Sequence, residues 1–183
     1  MKKAVLVLTA LALTAAGPAM AGYKPVSDNL PTLTISFNGG GWDGKNVPSG
    51  QECDKDGDKG ATPPLIVSGI PEGANAIIIE INDESYYELS YDGGHGKIGF
   101  WIEGGGEASL PPVPGGTTKV PAGTFIETPN RASGEWATPG YIPPCSGGAG
   151  NTYSAVVKAV FKPKEKGQQG KLLATGKFRL GDY

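Results

Sequence analysis

The chain has 183 residues, a formal net charge of −2, 30 glycines and 16 prolines. This length predicts one domain with a substantial hydrophobic core, because domains usually hold about 100–200 residues. The weakly acidic balance argues against a nucleic-acid partner, which would require a basic stripe, and it disfavours binding to anionic membrane surfaces.

The first 21 residues have the features of an export signal. Two lysines open the chain, and an apolar run that is too short to span a bilayer follows through Ala16. Small residues up to Ala21 supply a cleavage site. We therefore expect a signal peptide over residues 1–21 and a single β domain over residues 22–183. The mature chain would be periplasmic or secreted, with no transmembrane segment after cleavage.

Short apolar runs separated by glycine and proline predict an all-β fold. The first and the last run alternate apolar and polar residues, as strands with one buried face do. Ala76 to Ile79 is apolar on both faces, so this strand is predicted to lie centrally in its sheet. Residues 164–173 are the one candidate for a short helix, although their glycines disfavour it. The predicted strands cover residues 33–37, 65–68, 76–81, 98–102, 123–126, 153–161 and 172–180.

The two cysteines, Cys53 and Cys145, would reach an oxidising compartment after export. A disulfide between them is therefore favoured over two free thiols. Such a bond would close a long loop, for which the chain-entropy model predicts a stabilisation of about 4–5 kcal/mol.

Residues 54–60 place three carboxylates at alternate positions, as at the start of a calcium-binding loop. An EF-hand loop requires glycine at its sixth position and glutamate at its twelfth, where this chain has Lys59 and Leu65. An acidic turn in solvent is therefore favoured over a calcium site. We predict no metal and no cofactor.

Motifs for nucleotide binding and catalysis find little support. Gly94 to Gly99 match G-x-G-x-x-G by letters, but a strand follows where the dinucleotide motif requires a helix. There is no G-x-S-x-G elbow. A Cys145–His95 nucleophilic pair would need the thiolate that a disulfide removes. Paired carboxylates for glycoside hydrolysis stay open, so an enzyme is the third interpretation.

Residues 63–102 combine the longest apolar strand candidate, an acidic turn and the chain's one histidine. In order, the stretch contains Pro63-Pro64-Leu65, the turn Ser68 to Gly73, the strand Ala76 to Ile81, the turn Asn82-Asp83-Glu84, and His95. This order resembles the bacterial branch of the phosphatidylethanolamine-binding protein family, in a divergent form. There a Ser-Pro-Pro-Leu-type segment, a G-[IV]-P-x-G turn, an apolar strand, an Asp-Pro-Asp-like turn and a histidine follow one another. The resemblance covers about residues 33–183.

The resemblance implies a two-sheet antiparallel β-sandwich with little helix. It also implies a small anion pocket, formed by the acidic turn, the histidine and a Gly-Pro-rich loop at residues 140–145. Similar bacterial sequences carry a cysteine in both matching segments, which supports the disulfide between Cys53 and Cys145.

Each residue of the implied pocket has an expected role. His95, which by itself also fits an exposed turn between glycines, would donate to the anion together with Asn151. Backbone amides of residues 146–150 would add donors. An acidic side chain would orient the histidine or meet a ligand ammonium, and apolar residues would form a wall. The expected ligand-binding residues are Asp83, Glu84, His95, Tyr141, Pro144 and Asn151.

Two positions depart from the family pattern. Asn151-Thr152-Tyr153 stands where His-x-Tyr is usual, and asparagine donates hydrogen bonds without carrying charge. The acidic turn lacks the proline of Asp-Pro-Asp.

The expected function is binding of a small anion, such as phosphate or a phospholipid headgroup, without turnover. The alternative is a cell-envelope or inhibitor-like module that binds a protein partner and keeps a vestigial pocket. Convergence of Asp83, His95 and Asn151 in space would favour the first.

Overall fold

The computed structural model describes residues 22–53, 55, 60–165 and 167–183. The predicted signal peptide lies outside the described residues, and so do all three carboxylates of the predicted acidic turn at residues 54–60. Within the described ranges, no helix has the length and apolar character needed to cross a membrane.

The described residues form nine β-strands in two sheets. The larger sheet has six strands in the order β1-β9-β8-β4-β5-β7, and the smaller sheet has the order β2-β3-β6. Strand β1 pairs with β9 in parallel, and the other strand pairs are antiparallel. The strands are β1 (Lys24–Pro25), β2 (Thr34–Phe37), β3 (Leu65–Ile70), β4 (Ala76–Asp83), β5 (Gly96–Trp101), β6 (Gly106–Leu110), β7 (Thr124–Thr128), β8 (Thr152–Phe161) and β9 (Lys171–Asp182).

The predicted fold class is confirmed, because the protein is mainly β, has two sheets and has little helix among its described residues, with short 3-10 turns such as Tyr87–Leu89 and Gly134–Trp136. Leu65 and Val67 of the small sheet pack with Ile77 and Ile98 of the large sheet in one core. Burying a side chain of this size contributes about 1.5–3 kcal/mol, so this layer between the sheets is a main source of stability.

Strand β4 is buried along its whole length and lies between β8 and β5, as its apolar sequence predicts. Ile77, Ile79 and Ile81 point into the core between the sheets. On the opposite face, Ile78 packs in a smaller cluster with Phe125 and other apolar residues. The strand therefore needs apolar side chains on both faces, which explains why its sequence does not alternate.

The candidate helix at residues 164–173, which its glycines disfavour, is absent from the described residues of this segment: Gly167 has a φ of +89° in the connection between β8 and β9, and β9 begins at Lys171. Strand β6 was not predicted, because its polar, glycine-containing sequence has a weak apolar pattern. It is an edge strand that needs only one buried face.

Candidate ligand-binding site

A cavity of about 430 Å³ opens at one end of the sandwich. Ligand sites in proteins commonly enclose about 300–1,000 Å³, so this space suits a small molecule. Its lining comes from the end of β4, the connection to β5, the segment around residues 131–136, and the loop that enters β8. These segments are a strand end and connections between strands of the large sheet, and binding residues are commonly found in such connections.

Asp83, His95 and Asn151 line this cavity together, as the proposed pocket requires. Strand β4 ends at Asp83, while its two neighbours begin just after the other residues, β5 at Gly96 and β8 at Thr152. Because both neighbours run antiparallel to β4, its end meets their beginnings. The three residues are far apart in sequence and adjacent for this topological reason.

Asp83 is buried, with 4% of its surface exposed. Its Oδ2 accepts a hydrogen bond from Asn151 Nδ2 at 2.7 Å, and its Oδ1 accepts one from the backbone amide of Ser85 at 2.9 Å. The hydroxyl of Tyr153 lies beside the same carboxylate. Within the described part of the chain, Asp83 has no ion pair with a lysine or arginine. The carboxylate is thus positioned by neutral donors.

His95 is also buried, with 2% of its surface exposed, so the alternative of an exposed turn histidine is wrong. Its Nδ1 lies 2.9 Å from the carbonyl oxygen of Ile142. A carbonyl can only accept, so Nδ1 carries the hydrogen in the neutral ring. The other nitrogen, Nε2, is buried without a hydrogen-bond partner among the described residues. The neutral ring therefore has an acceptor left over and no second donor.

Burial is the largest influence on the titration of His95, and it lowers the pKa from the ordinary value of 6.5. The Ile142 carbonyl, the Asp83 carboxylate and the backbone of Pro143 oppose this shift without reversing it. The ring of Tyr153 meets the imidazole edge to face, with the ring centres 5.3 Å apart. His95 is therefore neutral near pH 7, and only its protonated form can donate to an anion through Nε2.

Arg131 also lines the cavity, although no motif in the sequence marks it as a site residue. Its guanidinium donates to three backbone carbonyls, those of Glu88 at 3.2 Å, Tyr91 at 2.6 Å and Asp92 at 2.9 Å, and it lies over the Tyr91 ring. No carboxylate of the described residues pairs with it. The positive charge is held in place and not neutralised.

Aromatic side chains surround the cavity on the solvent side. Tyr86 and Trp136 line it and are 51% and 41% exposed. Tyr87 and Tyr91 lie next to each other on the same connection, with ring centres 6.0 Å apart. Exposed tyrosine and tryptophan in one region mark a surface that can contact a ligand or a partner.

The other predicted binding residues lie outside the cavity lining. Glu84 Oε1 accepts hydrogen bonds from Lys177 Nζ at 2.6 Å and Ser154 Oγ at 2.7 Å. Tyr141 is packed in the main core, where its hydroxyl has no partner among the described residues. The carbonyl of Pro144 accepts from the backbone amide of Cys53 at 3.0 Å. Their neighbours Ile142 and Cys145 line the cavity instead.

The loop at residues 146–150, expected to supply anion-binding amides, is also outside the lining. Its last amide, that of Gly150, donates to the carbonyl oxygen of Tyr183 at 2.9 Å. This end of the loop therefore closes against the residue that follows β9.

The predicted disulfide between Cys53 and Cys145 is present, with the two Cα atoms 5.2 Å apart. Cys145 lines the cavity, so the bond ties the cavity wall to the segment before β3. Beside it, the backbone amide of Cys145 donates to the hydroxyl of Tyr153 at 3.1 Å. Among the described residues, no group of three or more histidine, cysteine, aspartate or glutamate side chains could hold a metal ion.

Comparisons with known proteins agree with the fold. No protein-family model matches the chain, and no curated protein matches it. A Chlamydia trachomatis protein, described as a phosphatidylethanolamine-binding protein homologue, shares 18% identity over 83% of this chain and 97% of its own, with a TM-score of 0.51. YbcL of E. coli, described as a new member of the mammalian family of these proteins, shares 18% identity over 82% of this chain and 97% of its own, with a TM-score of 0.50. The predicted resemblance is thus confirmed at the level of the fold.

Proposed function

Starting from the fold of the phosphatidylethanolamine-binding proteins, we propose that this chain is an exported ligand-binding protein without turnover. Its cavity takes a small anionic group, such as a phosphate or a phospholipid headgroup. The observation that carries the proposal is the meeting of Asp83, His95 and Asn151 in one cavity, together with the unneutralised charge of Arg131. Export follows from the signal-like residues 1–21, and the disulfide is compatible with an oxidising periplasm.

The anion is held mainly by Arg131. A guanidinium offers five N–H donors, and hydrogen bonds from charged groups to oxyanions are roughly twice as strong as neutral ones. Three backbone carbonyls already fix its orientation, so little side-chain freedom is lost on binding. Asn151 uses one of its two amide hydrogens on Asp83 and has the other for the ligand.

A second candidate function is a protein-interaction module in the cell envelope. The observation that favours it is the exposure of Tyr86, Tyr87, Tyr91 and Trp136 close to Arg131. Tyrosine, tryptophan and arginine are the residues enriched at binding hot spots between proteins. In that case the anion cavity would be incidental, and removing its charged groups would leave partner binding unchanged.

The proposed site predicts that sulfate binds more tightly in mild acid. Neutral His95 has no donor for the anion, and protonated His95 gains one at Nε2. Because burial lowers its pKa in the free protein, the gain develops as the pH falls below about 6.5, and the bound anion raises that pKa again. A hydrogen bond to a charged group contributes about 1.5–3 kcal/mol, so we expect affinity to rise roughly tenfold between about pH 7.5 and pH 5. Calorimetric titration with sulfate measures this.

Variants separate His95 from the other groups that face it, which are Asp83, Tyr153, Glu88 and Arg131. His95→Ala should remove the pH dependence. Asn151→Ala should weaken binding at every pH and keep the slope, because an amide does not titrate. If the His95 ring signals in NMR ignore sulfate throughout this range, the anion-binding proposal is wrong and the interaction module is favoured.

A further inference from the structure

We infer that the anion which fits this cavity is a phosphate that carries its own proton, hydrogen phosphate above all, and that sulfate and phosphodiesters are rejected at neutral pH. The inference rests on the proposed function and narrows it to one ligand chemistry. It depends on the hydrogen-bonding character of the two buried groups at the inner wall.

The first of these groups, Asp83, is an acceptor with unused capacity. A carboxylate has about four lone-pair positions; the side chain of Asn151 and the amide of Ser85 occupy one on each oxygen, and the hydroxyl of Tyr153 lies beside the same carboxylate, which leaves at least one position unused. The Asp83 side chain is buried, and no lysine or arginine among the described residues forms an ion pair with it. An oxyanion without a hydrogen would meet this carboxylate oxygen to oxygen, with charge repulsion and no hydrogen bond.

The second group, His95, is an acceptor as well when it is neutral. Its Nδ1 hydrogen is committed to the carbonyl of Ile142, which leaves the lone pair of Nε2 without a partner among the described residues. Buried polar atoms in native proteins are nearly always hydrogen-bonded, to protein, water or ligand. The missing partner of Nε2 must be a donor, because a lone pair can only accept.

Arg131 determines which kind of ligand can supply the hydrogen-bond donor. The guanidinium of Arg131 can only donate hydrogen bonds, so its partner must supply acceptors, which an ammonium lacks; an anion that also carries a hydroxyl serves Arg131 and the two acceptors alike. Hydrogen phosphate satisfies both requirements, with deprotonated oxygens for Arg131 and an O–H for Asp83 or His95. Sulfate and phosphodiesters carry no such hydrogen near neutrality. A phosphomonoester carries one only below its second pKa of about 6.

A phosphate group has two natural sources here. Free phosphate carries a proton near neutrality, and the diester of a phospholipid headgroup does not. Calorimetric titrations at pH 7.5 with inorganic phosphate, sulfate and dimethyl phosphate separate these sources. We expect the wild-type protein to bind phosphate at least tenfold more tightly than either of the other two. Phosphate should also shift the ¹⁵N resonance of His95 Nε2, because that atom gains a donor.

Asp83→Asn tests the source of the discrimination. The amide keeps the shape of the carboxylate and can donate as well as accept, so phosphate should lose affinity, sulfate should gain it, and their ratio should approach one. Glu84→Gln is the matched control, since it makes the same chemical change one residue further on, outside the cavity lining, and should keep the wild-type ratio. Arg131→Ala should weaken every oxyanion and preserve the ratio.

The outcomes distinguish this inference from the function on which it rests. Equal binding of sulfate and phosphate by the wild-type protein, or an unchanged ratio in Asp83→Asn, would overturn the inference and leave an anion site in place. Tighter binding of dimethyl phosphate would overturn it in favour of a lipid headgroup. If no oxyanion binds between pH 5 and 7.5 while the protein is folded, the proposed function and the inference are both wrong.

Discussion

Loss of the Cys53–Cys145 disulfide, by changing both cysteines to serine, is expected to lower the free energy of unfolding by up to about 4–5 kcal/mol. The bond joins residues 92 positions apart, and a closed loop of that length greatly restricts the unfolded chain. The whole free energy of unfolding of a small domain is about 5–15 kcal/mol, so the variant should unfold at a much lower urea concentration. Urea unfolding followed by tryptophan fluorescence measures the difference.

The disulfide variant should also bind phosphate more weakly, because Cys145 lines the cavity and belongs to the loop whose Ile142 carbonyl holds His95. The wild-type protein, unfolded with and without a reducing agent, is the control, and its reduced form should match the double variant. An unchanged midpoint in both experiments would mean that the packing of this loop, and not the covalent bond, supplies its stability.

Gly94→Ala is expected to cost about 2–3 kcal/mol, near the upper end of the usual range for overpacking. A Cβ atom at this position would lie 2.2 Å from the carbonyl oxygen of Leu89 and 2.3 Å from its Cα. Backbone atoms cannot move aside as the end of a side chain can. The residue is also held by Asn82 Oδ1, which accepts from its amide at 3.2 Å, and by the Arg131 amide, which donates to its carbonyl at 2.9 Å.

A shift of Gly94 would displace His95, the next residue, and Arg131, its hydrogen-bond partner. We therefore expect phosphate affinity to fall at least tenfold, measured by calorimetry at a temperature where the variant is folded. Gly73→Ala is the control: its φ of +84° is strained for alanine, at about 1–2 kcal/mol, but no atom lies near the new methyl group. It should lose stability and keep binding. Full stability of Gly94→Ala would show that the β4–β5 connection adapts to the added atom.

The strands that the sequence predicted are those whose burial leaves a clear pattern. Ala76 to Ile79 is apolar on both faces because sheet neighbours and two apolar clusters enclose β4. In β9, Phe178 and Leu180 face inward between exposed Lys177 and Arg179, as their alternation predicts. Strand β6 is not predicted, because its position at the sheet edge and its polar sequence weaken the alternation of apolar and polar residues.

Three of the six predicted binding residues line the cavity, and strand geometry explains which residues of the acidic turn face it. Successive residues of a strand point to opposite faces, so Asp83 faces the cavity while Asn82 faces away and binds the amides of Gly93 and Gly94. Glu84 continues on the side of Asn82, where it meets Lys177 and Ser154. The acidic turn identified the region, but a shift of one position decides which carboxylate lines the cavity.

Arg131 could not be placed from local sequence, because its position depends on carbonyls some forty residues earlier in the chain. A weak signal was available. It is one of only two arginines in the chain, and it lies in the proline-containing segment between the predicted strand at residues 123–126 and the Gly-Pro-rich loop. The combination of a rare arginine and a long polar connection could have marked it as a candidate anion ligand.

The order in which the cavity is assembled has a consequence for how the chain matures. Pairing of β4 with β5 joins residues close in sequence, whereas Asn151 reaches Asp83 only when β8, some seventy residues later, adds to the other side of β4. Contacts between such distant segments form slowly. The ligand site therefore does not exist until residues beyond 151 have joined the folding chain. A bound anion would stabilise only chains that have completed this step, and it could not assist the earlier β4–β5 hairpin.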